Sequence, residues 1–237
     1  MIEELLEGEE LSVFAVCDGR EALPLAAARD YKRAGDGDTG PNTGGMGAYS
    51  PVAGFGAEQV EELVDAIHRP VLAELAARGS AFAGLLYAGL MLTAGGPRVL
   101  EFNCRFGDPE TQALLPRLEG DLLAVLAAAA AGHLGGASLS AAERAAVTVV
   151  AAAARYPEEG DTGTPIDGIE DAEALGALVF HAATALRGGR VVTSGGRILD
   201  VTGVGAEVRE ARERAYAGAA KISCDGVRYR TDIAASA

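Results

Sequence analysis

The sequence predicts an α+β protein of two domains, one in which helices accompany a mixed or antiparallel sheet and a second that is small and rich in β-strand. Three observations predict it. β-type runs joined by turn residues open the chain, a long stretch of helical periodicity follows, and a Gly/Ser-rich segment after His133 precedes short strand candidates punctuated by glycine. At 237 residues the chain can bury one large or two modest cores. A composition 49% hydrophobic and 23% charged belongs to a folded chain, not a disordered one.

Residues 11–17 and 22–26 are β-type runs around Asp18-Gly19, which tolerates positive φ and predicts a hairpin. Ahead of them, Met1-Ile2 and Glu3-Glu4-Leu5-Leu6 read as a strand entered in mid-course, as if the chain began inside a domain. Residues 29–51 are turn chemistry throughout, and loops of that length are usually functional or mobile. Val60, Leu63, Val64, Ile67, Val71, Leu72 and Leu75 recur at helical spacing, with Glu61, Glu62 and Arg69 opposite. A helix is predicted over 57–78, kinked or broken at Pro70. Residues 84–93 are almost continuously apolar and Val99, Leu100 and Phe102 are apolar in 98–103, which predicts two strands buried on both faces at the centre of a sheet. Asp108-Pro109 reads as N-cap and first helical position, with one or two helices to about residue 131. The linker after His133 divides the chain into domains 1–134 and 145–237. In the second, 146–155, 178–183, 190–193 and 197–204 are strand candidates and 206–220 a helix. No internal repeat is evident.

The net charge of −14 would repel a phosphate backbone, and Lys32 and Lys221 are the only lysines among scattered arginines. A nucleic-acid partner is therefore not expected, and phosphate must be met by backbone amides, single arginines or a metal. Cys17, Cys104 and Cys224 have no paired spacing, which fits a reducing, cytoplasmic setting. No leader precedes the first acidic residues, and the apolar run at 122–132 is too short to span a bilayer, so no membrane association is expected. His68, His133 and His181 lack metal-like spacing, and no serine or cysteine sits in a nucleophile motif.

Chemistry is concentrated in two places. Alternation along 99–103 puts Glu101 and Asn103 on one face, about 7 Å apart at Cα, with Leu100 and Phe102 toward the core. Their two oxygens suit Mg²⁺ or Mn²⁺ shared with phosphate and water, and Arg105, pointing the same way, suits a phosphoryl oxygen. An ordinary strand end with solvated polar residues fits the same pattern. In the loop, Gly44, Gly45 and Gly47 permit amides to converge on an anion, and Lys32 and Arg33 add charge; a flexible surface loop fits equally. An EF-hand is excluded because the twelfth position from Asp36 is Gly47, and a Walker loop because no Gly-Lys-Ser/Thr follows the glycines. The acidic run from Glu3 to Glu10 reads most simply as a solvated face.

Together, the Ile2–Ser12 segment, the loop Asp38-Thr-Gly-Pro-Asn-Thr-Gly-Gly-Met-Gly-Ala-Tyr-Ser-Pro51, Tyr87-Ala-Gly-Leu-Met91 and Glu101-Phe-Asn-Cys-Arg-Phe-Gly-Asp-Pro-Glu-Thr-Gln112 resemble the phosphoribosylamine-glycine ligase family in order and spacing. Val179-Phe-His-Ala182, Val192-Thr-Ser-Gly-Gly-Arg197 and Arg230-Thr-Asp-Ile233 are similar to that family's terminal domain. The resemblance implies the C-terminal half of an ATP-grasp domain followed by a small β-rich domain. It implies a ligase that uses ATP and Mg²⁺ or Mn²⁺ to join glycine to 5-phosphoribosylamine through glycyl phosphate, in purine synthesis. By the same resemblance, Glu3, Glu4, Leu5 and Leu6 line the adenine, Glu10 holds the ribose hydroxyls, and Glu101 and Asn103 ligate the metal. Lys32, Asp38, Asn42, Thr43, Gly44, Gly45, Met46 and Gly47, with Arg105, surround glycine and phosphoribosylamine. The loop would serve as a mobile lid. The family's usual chain also has an N-terminal α/β domain and a nucleotide-clamping domain, both missing here. Two alternatives stay open: a non-catalytic scaffold, and an ATP-grasp ligase with a different substrate pair.

Overall fold

The structure, a computed structural model, describes residues 4–237. β1 (Glu9–Asp18) and β2 (Ala22–Pro24) form the expected antiparallel hairpin, with Cys17 opposite Ala22. Asp18 fixes its turn: Oδ1 accepts the amides of Arg20 and Glu21, and Oδ2 that of Leu134. Burial works against this charge, but the amide bonds outweigh it and hold the carboxyl below its ordinary range.

The segment after β2, where the sequence predicts only turns, is largely built into sheet. It supplies β3 (Arg29–Asp30), a small hairpin of β4 (Arg33–Gly35) and β5 (Thr39–Asn42), and the wholly buried β6 (Gly47–Ser50). Four residues are too few to show a period, and glycine masks the strand signal.

The predicted helix exists in three pieces: α1 (Ala57–Leu63), a π-helical turn (Val64–His68) and α2 (Arg69–Ala77). The Arg69 amide reaches back to Val64 O, and Pro70 then falls in the first turn of α2, where a missing donor is tolerated. β7 (Ala83–Thr93) and β8 (Gly96–Asn103) are antiparallel neighbours. β7 is central and mostly buried, but β8 is an edge strand, and Val99, Leu100 and Phe102 stay 41%, 37% and 37% exposed. The expectation that both strands are buried on two faces therefore fails for β8, because among the described residues only β7 pairs with it.

α3 (Glu110–Leu114) has Pro109 at its N-cap, after a cis Asp108–Pro109 peptide bond. Asp108 does not cap the helix as predicted, since its carboxylate faces Arg197 at 3.2 Å. After a 3-10 turn (Leu115–Arg117) come β9 (Leu118–Glu119) and α4 (Leu122–Ala130), whose N-cap Asp121 accepts the Ala124 amide. β10 (Ser140–Ala141) pairs with β9. The remainder is β11 (Ala145–Ala152), β12 (Asp161–Pro165), α5 (Ile169–Ala174), β13 (Leu178–His181), β14 (Thr184–Arg187), β15 (Arg190–Gly195), β16 (Arg197–Gly205) and α6 (Val208–Ala219).

These elements form two compact units. The first takes the described residues up to Arg29, Pro51–Gly107 and Leu118–Ala142, and is centred on a sheet of order β2-β1-β7-β8. The second takes Asp30–Ser50, Asp108–Arg117 and Glu143–Ala237, and is centred on a sheet of order β13-β16-β11-β6-β3, with a smaller sheet β12-β15-β14. The linker predicted after His133 accounts only for the last passage between units; two earlier excursions carry 30–50 and 108–117 into the second. Within the second unit α6 lies close on β16, where a Cβ on Gly203 would sit 2.1 Å from Ala211 O.

Among the described residues no helix is long and apolar enough to cross a membrane. The three cysteines are free, and burial pushes the Cys17 thiol up to about 12.

Candidate functional site

In the first unit the chemistry sits at the end of β8. Gly89 pairs with Glu101 and Leu90 with Val99, so Leu100 is an extra residue and the strand bulges there. Past the bulge the side chains of Glu101 and Asn103 meet, but through the amide nitrogen and not as two converging oxygens: Asn103 Nδ2 donates to Glu101 Oε1 at 3.2 Å. Arg105 joins them, with Nη2 donating to Asn103 Oδ1 at 3.4 Å and Nη1 to Phe106 O at 2.9 Å. Leu100 and Phe102 do not reach a closed core; Phe102 meets the buried His68 ring edge-on, with centroids 6.4 Å apart. Burial lowers the His68 pKa, so that ring is an apolar packing element here.

A carboxylate and a carboxamide on an exposed strand end fit a hard divalent cation. Among the described residues no three His, Cys, Asp or Glu side chains gather to hold a metal. The pair would thus supply two ligands and leave the others to phosphate and water, as nucleotide-borne Mg²⁺ requires.

Ahead of β1, Glu4 and Leu5 are exposed and Leu6 half-buried, with Leu5 at 88% exposure. Glu4 accepts from Arg98 and Glu9 from Arg29, and Arg29 Nε also donates to the carbonyl of half-buried Glu10. The acidic run is in part a solvated, ion-paired face. Glu3 lies outside the described residues.

In the second unit the glycine-rich segment is held at nearly every peptide group. Lys32 O accepts both the amide and the hydroxyl of Thr43, at 2.7 and 2.8 Å. The amides of Gly44, Gly45 and Met46 donate to Tyr156 Oη, Thr43 Oγ1 and Tyr31 O. The convergent-amide nest predicted from Gly44, Gly45 and Gly47 is therefore not formed. These glycines serve close approach to protein: Gly45, at φ 110°, would place a Cβ 2.4 Å from Pro109 Cδ. Met46 is fully buried, whereas Asn42 and Gly44 face solvent. A segment bonded in this way is a fixed turn, which does not suit the mobile-lid expectation.

Asp38, a substrate contact by the resemblance, is an exposed residue that accepts from Arg230 Nη1 at 2.8 Å. Arg230 is 2% exposed; it also donates to both oxygens of Asp232 and to Arg33 O, and its guanidinium lies 4.9 Å over the Tyr31 ring. Burial opposes its charge, but the bonds from Asp232 and Asp38 raise its pKa, and the Arg230 bond holds Asp232 down to about 2. Asp36 completes the anchor, accepting the amide and hydroxyl of Thr231. Sequence reasoning missed Arg230, Asp232, Tyr156 and Arg197 as partners of the loop. Only the family-like Arg230–Ile233 and Val192–Arg197 stretches hinted at them.

Residues 1–111 match the family model for the ATP-grasp (A) domain of phosphoribosylglycinamide synthetase, and residues 146–236 match the model for its C domain. A phosphoribosylamine–glycine ligase of Streptomyces coelicolor is 51% identical over 241 residues, covering 100% of this chain and 58% of that protein. One of Rhizobium meliloti is 50% identical, covering 98% and 55%. The crystal structure of the Thermotoga maritima phosphoribosylamine–glycine ligase superposes with a TM-score of 0.87 at 38% identity, over 98% of this chain and 57% of that one. At 18% identity and a TM-score of 0.59, the N5-carboxyaminoimidazole ribonucleotide synthetase of Thermotoga maritima shares the fold alone. The chain spans a little over half the length of the curated relatives it matches. With two domain models of one family matched in succession, the chain belongs to the phosphoribosylglycinamide synthetase family and carries its ATP-grasp fold.

Proposed function

We propose that these residues work within an ATP-dependent ligase that joins glycine to 5-phosphoribosylamine, giving glycinamide ribonucleotide, ADP and phosphate. The observation that carries this is the convergence of Glu101, Asn103 and Arg105 on an exposed strand end, in a chain half identical to ligases of that name. Glu101 and, with its carboxamide turned, Asn103 would present oxygens to a divalent cation, Mg²⁺ or Mn²⁺, which when bound neutralises and aligns the ATP phosphates. Arg105 sets a fixed positive charge beside them, suited to the oxygens of a transferring phosphoryl group or acyl phosphate. Exposed Leu5, with Glu3, Glu4 and Leu6, would meet the adenine, and Glu10 the ribose. Lys32, Asp38, Asn42, Thr43 and Gly44 would receive glycine and phosphoribosylamine, with the buried Gly45, Met46 and Gly47 shaping that surface from within.

In the proposed reaction the glycine carboxylate attacks the γ-phosphorus of ATP and ADP leaves, which forms glycyl phosphate. The amine of phosphoribosylamine then attacks the acyl carbon, loses a proton and expels phosphate as the amide forms. Water must be excluded while the acyl phosphate survives. We assign the complete reaction to a chain of the relatives' full length and a cytoplasmic setting, where three free thiols stay reduced. For these 237 residues alone we propose metal and anion binding without turnover.

Glu101→Ala in the complete ligase should abolish turnover, because one of the two protein ligands is lost. Near-normal activity at saturating Mg²⁺ would refute the metal assignment.

A further inference from the structure

The second unit contains a polar chain, buried at its inner end, whose members Asp200, Gln112, Asp108 and Arg197 the proposed reaction does not use. Asp200 lies in the middle of β16, 1% exposed, with Val150 and Phe180 opposite it on the neighbouring strands. Gly203 and Gly205 face α6, so strand alternation turns Asp200 to the other face, where α3 brings Gln112. Asp200 Oδ2 accepts from Gln112 Nε2 at 2.7 Å, and the same nitrogen lies 3.4 Å from Asp108 Oδ1. That Asp108 oxygen is 3.2 Å from Arg197 Nη1. Arg197 Nη1 in turn donates to the carbonyls of Gly44 and Asp108, each at 2.6 Å. The chain of contacts thus runs from a buried acid to the peptide group of the exposed glycine turn. At its inner end Asp200 Oδ1 and Gln112 Oε1 are both buried and neither accepts a hydrogen bond.

We propose that Asp200 is a positioning residue for the Gly44–Gly45 turn, acting through Gln112, Asp108 and Arg197 without touching substrate. The proposal deepens the ligase reading, on which its consequence for substrate binding rests. An ionised Asp200 with a bare buried oxygen would compete for the donors nearest it, Gln112 Nε2 and the Arg197 guanidinium, and so draw them from Asp108 and Gly44. A neutral carboxyl makes no such demand, and its hydroxyl becomes a donor in a place with surplus acceptors. The charged groups acting on Asp200 are Asp108 and Arg197. Burial, then repulsion from Asp108, outweighs the pull of Arg197 and the Gln112 bond and pushes its pKa up to about 7. Below neutral pH the turn is therefore held, and above it the hold weakens.

Amide exchange of Gly44 and Gly45, followed by NMR on this chain without substrates and corrected for intrinsic exchange, tests this. The wild type should lose protection on the order of tenfold as Asp200 ionises, the equivalent of one pKa unit of coupling. Asp200→Asn, neutral at every pH, should keep the protection and abolish the step, while Gln112→Ala should be poorly protected throughout. An Asp200→Asn profile that keeps the wild-type step, or full protection in Gln112→Ala, would overturn the proposal. In the complete ligase the same step should appear in KM for glycine or phosphoribosylamine and spare kcat. The exchange step without any ligase activity would uphold the positioning role and overturn the ligase reading alone.

Discussion

Arg230 shows how one residue fixes the glycine-rich segment of the second unit from a long way off in sequence. Its guanidinium is buried beneath the 36–38 turn, with Asp38 and Asp232 as counter-charges. Removing one partner of such a buried pair leaves a charge without compensation. The Asp232 carboxyl is held at about 2 by Arg230, against 3.8 in an unfolded chain. Because the folded value is the lower one, its contribution is present above pH 3.8 and is lost as pH falls through about 2. Screened by solvent, it amounts to roughly 1–2 kcal/mol. Urea unfolding of the wild type and Asp232→Asn should therefore differ by about that much at pH 6 and converge near pH 2. A gap of equal size at both pH values would show that the ion pair is not its source. None of this was legible in the sequence, since nothing local to Asp38 announces a partner 192 positions away. Glu101 and Asn103 were legible because their convergence depends only on the two-residue period of a strand.

At the scale of elements, local chemistry told most where it was strongest. Asp18-Gly19 fixed the first hairpin, and the seven apolar positions from Val60 to Leu75 fixed the helical stretch, although the π turn that accommodates Pro70 leaves no mark on that periodicity. β8 was misjudged because Val99, Leu100 and Phe102 report a preference for burial and not the strand's place in the sheet, which depends on pairing with distant strands. β6 was hidden among glycines whose purpose emerges only in packing. The contact of β16 with α6 makes the same point in a testable form. Gly203→Ala would push a methyl group into backbone atoms of α6, with Ala211 O at 2.1 Å and Ala215 N at 2.4 Å. Overpacking of this kind costs about 1–3 kcal/mol and more where backbone must move. Chemical denaturation should show a loss at or above the upper end of that range; a variant as stable as the wild type would mean that the helix and strand lie farther apart.

For the molecule as a whole, two units are assembled from interleaved stretches of chain, and interleaving is invisible to any linear search for linkers. The Gly/Ser-rich segment after His133 marks one passage between the units; those after Arg29 and Ser50 bound the turn-rich stretch that reads as a single loop, and those after Gly107 and Arg117 carry no linker composition. What the residues alone supplied was an α+β chain with a carboxylate–carboxamide pair at a strand end and a glycine-rich segment. The ligase reading required those features to be matched, in order, with a family. It places Glu101, Asn103 and Arg105 with ATP and the glycine-rich surface with the two other substrates. Its most direct test is release of phosphate from ATP by the complete ligase containing this chain, with glycine and phosphoribosylamine supplied separately and together. The account predicts sustained release, with glycinamide ribonucleotide formed, only when both are present. Release that proceeds at the same rate without glycine would contradict it.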